Sequence, residues 1–298
     1  MLTALYVVAR ILANPASNVF QKQLTQRSAN PLFIIGATDA LLTLGVLPLF
    51  LLGALRLQFG AGFWTNMVVA AALGVASNVL LVYALQSTGL SVLGPINAYK
   101  SVISLVLGVF LLGEVPAPMG AIGVLLIVAG SYFVVDRDAD QPRSSAFARF
   151  FRERGIQFRF AALAVSATEA IFLKKALLLS SPLITFVFWA ILGLPIAAAA
   201  IALLLRGRVG QEVVVLRDEW PTYARLATTT GVMQLTSLLT FGKLQVGYSL
   251  ALFQLSTLIS VFLGYRYFQE GQIRKRLLGS AIMAAGAALI VFLGHSSY

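Results

Sequence analysis

Ten stretches of this chain are long and apolar enough to read as helices in lipid. They run roughly over 2–21, 32–53, 66–87, 91–112, 118–135, 160–180, 183–205, 221–242, 246–268 and 277–294. About 20 apolar residues cross the hydrocarbon core of a bilayer as an α-helix, so each run has the length of one span. Strands of a membrane barrel alternate over about ten residues, and these runs are longer and do not alternate. With 59% hydrophobic and 11% charged residues in 298, a soluble domain has nowhere to bury so much apolar surface, whereas lipid accepts it. The expected fold class is an all-α polytopic membrane protein.

A longer period divides the ten spans into two sets of five. Residues 103–130 and 259–286 align without a gap at an offset of 156, pairing Ile103 with Ile259, Ser104 with Ser260, Leu107 with Leu263, Gly108 with Gly264 and Glu114 with Glu270. The same register pairs Gly123 with Gly279, Ala129 with Ala285 and Gly130 with Gly286. Leucine matches are cheap in such sequences, so the glycine and glutamate spacing carries the argument. The expected domains are a first five-helix repeat over 1–135, a linker over 136–159 and a second repeat over 160–298. An odd number of spans makes the second repeat enter the membrane in the opposite sense. Two inverted five-helix repeats around a central cavity are the layout of a secondary transporter working by alternating access.

The linker interleaves Phe147, Phe150, Phe151 and Phe158 with Arg149, Arg152, Arg154 and Arg159, which reads as a basic amphipathic helix on the cytoplasmic leaflet. Asn14-Pro15 in span 1, Pro48 in span 2, Gly94-Pro95 at the start of span 4 and Pro195 in span 7 are expected to interrupt or bend their helices. Sixteen of the 22 lysines and arginines lie in or beside loops 1–2, 5–6, 7–8 and 9–10, so the positive-inside rule puts both termini outside. The same distribution explains the formal charge of +11 without nucleic acid as a partner. The first residues lack a positive n-region and a small-residue cleavage site, so span 1 is expected to be retained.

Several function classes fall away. The absence of cysteine removes disulfides, thiolate metal sites and thiol nucleophiles. One histidine and no nucleophile–base constellation leave no basis for an enzyme, and no GxxxxGK[ST] motif provides for nucleotide drive. Neither a metal nor a cofactor is expected. The expected partners are a small organic solute, protons in a coupled mode, and the bilayer itself. The chain is expected to act as a monomer or homodimer.

The pattern of a hydrophobic run ending in Gly113-Glu114 or Gln269-Glu270, followed by glycines seven residues apart (Gly123 and Gly130, Gly279 and Gly286), resembles the EamA-like domain of the drug/metabolite transporter superfamily. The resemblance covers essentially the whole chain as two five-span domains. It implies a ten-helix permease of a cell membrane, in a bacterium the inner membrane, moving amino acids, nucleotide or sugar derivatives or other small metabolites, with export as one direction. A flippase for lipids or lipid-linked sugars is the alternative on the same fold. Many relatives have both termini in the cytoplasm, opposite to the orientation read from the basic residues.

Charged groups at membrane depth cost about 2.5–3.5 kcal/mol on insertion scales, so each needs a reason. Glu169, in the middle of span 6, resembles the proton- and cation-binding glutamate of the small multidrug exporters; the alternative is a structural pair with a nearby lysine. Span 1 offers Arg10, Asn14, Ser17, Asn18 and Gln21 on one helical face, which lines a cavity or packs against other helices. Asn97, Tyr99 and Lys100 follow Gly94-Pro95, and Gln254 stands at the matching place in span 9. Lys100 can hold a solute's carboxylate or phosphate, neutralise Glu169, or snorkel to the interface. Asn78 of span 3 lies opposite Gln234 of span 8, and both are better lining candidates than the threonines of span 8, which can bond their own helix. Trp189 either stacks on a planar solute or faces lipid. Asp39 reads as a structural group near the membrane boundary. Glu114 and Glu270 are expected to cap the helix that follows each of them, and the motif glycines to let helices approach closely.

Overall fold

The computed structural model describes residues 2–51, 57–100, 102–103, 118–131, 133, 151–244 and 246–293. These residues contain helices, turns and bends and no strand. In chain order the helices are α1 (Leu2–Gln26), α2 (Pro31–Leu51), α3 (Phe63–Ser87), α4 (Leu90–Ile96), α5 (Pro118–Ser131) and α6 (Arg154–Leu178), then α7 (Pro182–Leu204), α8 (Val209–Asp218), α9 (Trp220–Phe241), α10 (Val246–Phe253), α11 (Ser256–Phe268) and α12 (Ile273–Leu293). Residues 31–49 of α2, together with α3, α6 and α7, are long and apolar enough to cross a membrane by composition alone. Helices α1 and α9 have comparable length, but polar residues punctuate both. Ser17, Asn18 and Gln21 of α1 and Gln234, Thr236 and Ser237 of α9 turn inward, where they need no lipid. The chain is a polytopic helical membrane protein.

Each long helix finds its main neighbour at the far end of the sequence. Helix α3 lies along α6, α1 along α9, α2 along α7, α4 along α11 and α5 along α12. Three apolar clusters fill the spaces between them. One is centred on Phe63, Met67, Phe188 and Trp189, a second on Leu85, Leu93, Ile127 and Met283, and a third on Leu24, Ile34, Tyr223 and Leu226.

The motif glycines are where α5 and α12 cross. A Cβ placed on Gly286 would stand 2.6 Å from the carbonyl oxygen of Gly123, and one on Gly130 would stand 2.8 Å from that of Gly279. Lipid supplies no hydrophobic drive for helices to associate, so close backbone approach at small residues provides the contact energy. Neither carbonyl can move aside without unwinding its helix. Gly286→Ala is therefore expected to destabilise the protein by about 1–3 kcal/mol, read as a lowered unfolding temperature in detergent. A variant as stable as wild type would show that this crossing is loose.

The prolines do not interrupt the helices as the sequence suggests. Helices α1, α2 and α7 run continuously through Pro15, Pro48 and Pro195. Pro95 does not start a span either, because α4 begins at Leu90 and carries Pro95 inside it. The breaks come elsewhere. One is the turn at Asn97 and Ala98, after which residues 99 and 100 are helical again, and the other is the turn at Gln254 and Leu255, between α10 and α11. The second has no proline, so nothing local announces it.

Two further differences concern boundaries. Helix α6 begins at Arg154, six residues before the expected start of span 6, which takes Phe158 and Arg159 out of the linker and into the bundle. There Phe158 stacks on Tyr83 with ring centroids 5.4 Å apart. The short α8, in the loop between α7 and α9, is an additional helix. Most of the linker, residues 134–150, lies outside the described residues, as do Gly113 and Glu114.

Candidate functional site

The polar face of α1 opens on a cavity of about 120 Å³ enclosed by α1, α3, α6, α9 and the chain just after α4. Asn14, Asn18, Asn78, Asn97, Lys100, Glu169 and Gln234 all line it, as do Arg10, Ser17 and Gln21. Residues scattered over some 220 positions thus converge on one polar chamber. Helical periodicity explains the α1 contribution, since Arg10, Asn14, Ser17 and Gln21 recur at three or four residues.

Glu169 is held from two sides. The indole Nε1–H of Trp189 on α7 donates to its Oε1 at 3.2 Å, and the hydroxyl of Ser77 on α3 donates to its Oε2 at 3.4 Å. Gly74, one turn before Ser77, makes the room. A Cβ there would stand 2.8 Å from Glu169 Oε1 and 2.9 Å from Trp189 Nε1. Trp189 is therefore buried behind the carboxylate as its donor, within the apolar cluster, and its face is not presented to a solute.

Behind Glu169 lies a second carboxylate that the sequence alone assigned to the membrane boundary. Asp39 on α2 is buried, and with Gly74, Asn78, Trp189 and Gly193 it lines a smaller recess that shares three of those residues with the Glu169 surroundings. Its Oδ2 has no partner among the described residues. The starting point of α2 at Pro31 sets this depth: Asp39 falls in the third turn, well inside the helix.

The opposite wall is cationic. Arg159 on α6 donates from Nη2 to Asn97 Oδ1 at 3.0 Å, and Asn97 in turn donates from Nδ2 to Gln254 Oε1 at 3.2 Å. The two helix breaks therefore meet, joined by their amides, with Arg159 on one side. Gln254 lies beneath this contact, returning its own Nε2–H to the Leu250 carbonyl. Tyr99 packs edge-on against Phe160 at 5.1 Å and does not line the cavity. Arg10 donates from Nε to Ser237 at 2.7 Å and lies over the Phe253 ring at 4.8 Å. Asn14 donates to Ser256 Oγ at 3.3 Å. The backbone N–H of Lys100 donates to the Asn97 carbonyl at 3.0 Å, while its ammonium makes no hydrogen bond or ion pair with any described residue and has Glu169 as the acid it faces.

At the end of α1 nearest this chamber, Glu270 organises a second polar centre. Its carboxylate accepts from the backbone N–H groups of Leu90 and Ser91, each at 2.8 Å, and from the Ser91 hydroxyl. Lys22 lies 3.0 Å from Oε1 and Arg276 3.6 Å from Oε2. Glu270 does cap a helix, but the helix is α4 in the first half rather than α12, which follows it. Gly89 and Gly264 leave the space, since a Cβ on either would come within about 3 Å of the carboxylate. Burial alone would raise this carboxyl, but the Ser91 hydroxyl and amide together with the Lys22 ammonium hold it below its ordinary value of 4.5. Lys22 and Arg276, which the charge count treats as loop cations, are thus pinned in a buried network, and Arg159 belongs to the cavity.

Residues 1–136 match the model of the EamA-like transporter family. One solved crystal structure, 15% identical in sequence, aligns over 98% of this chain and 96% of its own with a TM-score of 0.56, which establishes a likeness of fold alone. Among curated proteins, none matches.

Proposed function

We propose, from the match of residues 1–136 to the EamA-like transporter family of the drug/metabolite transporter superfamily, that this chain is a secondary active permease that carries a small organic metabolite through the Glu169 cavity by alternating access. The observation that carries the reading is the convergence of α1, α3, α6 and α9 on a polar chamber in the middle of an apolar bundle. Polar side chains at that depth are expensive in lipid and are kept where water or a ligand meets them. Nothing in the reading requires catalysis.

The helix contacts support two inverted repeats. Counting spans through the chain, with α10 and α11 as the halves of span 9, the main pairs are 1 with 8, 3 with 6, 2 with 7, 4 with 9 and 5 with 10. Exchanging the halves turns the first pair into the second and each of the others into itself. That is the signature of a two-fold relation, and the solute site lies where the halves meet. The two broken spans, 4 and 9, touch at Asn97 and Gln254, beside the cavity. Interrupted helices at such a place give a transporter polar backbone to present to its solute.

Glu169 is the coupling group in this proposal, taking up and releasing a proton in each cycle, in the inner membrane of a bacterium. A cavity this small favours a compact solute over a lipid-linked one, since drug-sized ligands fill about 300–1,000 Å³. Flux of a panel of radiolabelled solutes into proteoliposomes of the full chain, with and without an imposed pH gradient, tests the proposal. Transport of at least one solute, accelerated by the gradient, is expected. Ion conductance without saturable solute flux, or phospholipid scrambling alone, would overturn it.

A further inference from the structure

Three cations and one carboxylate face the same cavity: Arg10 from α1, Lys100 after the α4 break and Arg159 from α6, against Glu169. A cavity for a cationic solute would show the reverse excess. We infer that the chamber binds a small organic anion through Arg10, Lys100 and Arg159, and that the anion binds together with a proton on Glu169. This rests on the transport reading above and adds the charge of the solute and the sign of its coupling.

Unused hydrogen-bonding capacity points the same way. Arg10 Nη1 and Arg159 Nε are buried without partners among the described residues, and Gln234 Nε2 on α9 is a third donor in the same condition. Lys100 adds an ammonium with no hydrogen-bonding or ion-paired partner among them. Buried donors left unmade are costly, and three of them on residues that line one space are what an anionic oxygen reaching that space can satisfy. The guanidiniums are positioned in advance, Arg159 by Asn97 and Arg10 by Ser237 and the Phe253 ring, so little order remains to be imposed on binding.

The coupling follows from charge. Ionised Glu169 is the negative group that Lys100 faces, and it repels a second anion. Taking up a proton removes that competitor and leaves three cations free for the solute. Asp39, from α2, is the other acid near Glu169, and it lines the smaller recess rather than the cavity, so Glu169 is the carboxylate the solute meets. Binding linkage is reciprocal, so the anion favours proton uptake as much as the proton favours the anion. The carrier therefore moves both in the same direction.

Ligand-induced stabilisation of the purified full chain in detergent tests this, each variant being compared with its own ligand-free state. The probes are succinate and inorganic phosphate as anions, succinamide as the uncharged analogue, and putrescine as the cation. Succinate or phosphate is expected to raise the unfolding temperature, and to do so more strongly at acidic than at alkaline pH. Lys100→Gln and Arg159→Gln each weaken the effect by about ten- to a hundredfold in apparent affinity, while Lys100→Arg and Arg159→Lys retain most of it. Glu169→Gln binds the anion tightly at every pH. Which anion wins separates carboxylate from phosphate chemistry. Stabilisation by putrescine or succinamide equal to that by the anions would overturn the inference, as would anion binding that strengthens with rising pH or survives both Lys100→Gln and Arg159→Gln. Proteoliposome flux of a neutral or cationic solute would sink the anion inference while leaving the transport reading intact; anion binding without any flux would do the opposite.

Discussion

Replacing Glu169 with glutamine is expected to abolish flux driven by a pH gradient while leaving the protein folded and able to pass its solute downhill. The geometry provides for both halves of this outcome. Glutamine keeps an oxygen for the Trp189 indole N–H, and the Ser77 hydroxyl can turn its one proton from the carboxylate to the Gly74 carbonyl, 3.1 Å away, and accept from the new amide instead. The side chain fits the same recess over Gly74. What the substitution removes is the ability to gain and lose a proton beside Lys100. Without that exchange the solute gradient and the proton gradient are no longer linked. The measurement is uptake into proteoliposomes with the pH gradient imposed and then collapsed. Wild type responds to the collapse, and the variant does not. A variant that still accumulates solute under the gradient would remove Glu169 from the coupling.

The largest stability loss is expected at Glu270. Glu270→Ala strips the partner from Lys22 and Arg276 together and uncaps α4. Removing one member of a buried ion pair typically costs about 3–5 kcal/mol, because the remaining charge stays buried. Glu270→Gln keeps an acceptor for one amide and loses the charge, so its cost is smaller, about 1–3 kcal/mol. The pH dependence provides the second readout. Since the folded carboxyl is held below 4.5, its contribution is fully present above the unfolded value and is lost as pH falls through the folded one. The unfolding temperature of wild type should therefore fall in acid below the ordinary carboxylate range, and that acid limb should flatten in Glu270→Gln. An unchanged limb would assign the acid sensitivity to other groups.

Most of the fold was legible because lipid leaves few options. Runs of twenty apolar residues announce their helices, and each expected span has a described helix in it. The α1 stripe was legible for the same reason, since amides recurring at helical spacing on an apolar helix must face inward. Charge was the poor guide. Arg159 sits in a basic run, and only the early start of α6 at Arg154 reveals that it points into the bundle. Asp39 was read as a boundary group although the expected start of its span lay one residue from that of α2, because its burial comes from neighbouring helices. The helix capped by Glu270 could not be read locally, because the acceptor and the amides it serves are 179 and 180 residues apart. The break at Gln254 carries no proline or glycine, and it becomes intelligible only beside Asn97.

The pairing of early helices with late ones also governs how the chain is made. Helices α1, α2 and α3 leave the ribosome long before α9, α7 and α6, the helices they pack on. During that interval Arg10, Asp39 and the α1 amides stand in the bilayer, or in the insertion machinery, without the side chains that later surround them. Nascent chains arrested just after α5 should therefore be held by that machinery or by quality-control proteases rather than released as a stable half. Co-expressing residues 1–150 and 151–298 as separate polypeptides offers the complementary check, since each supplies the surface that the other lacks.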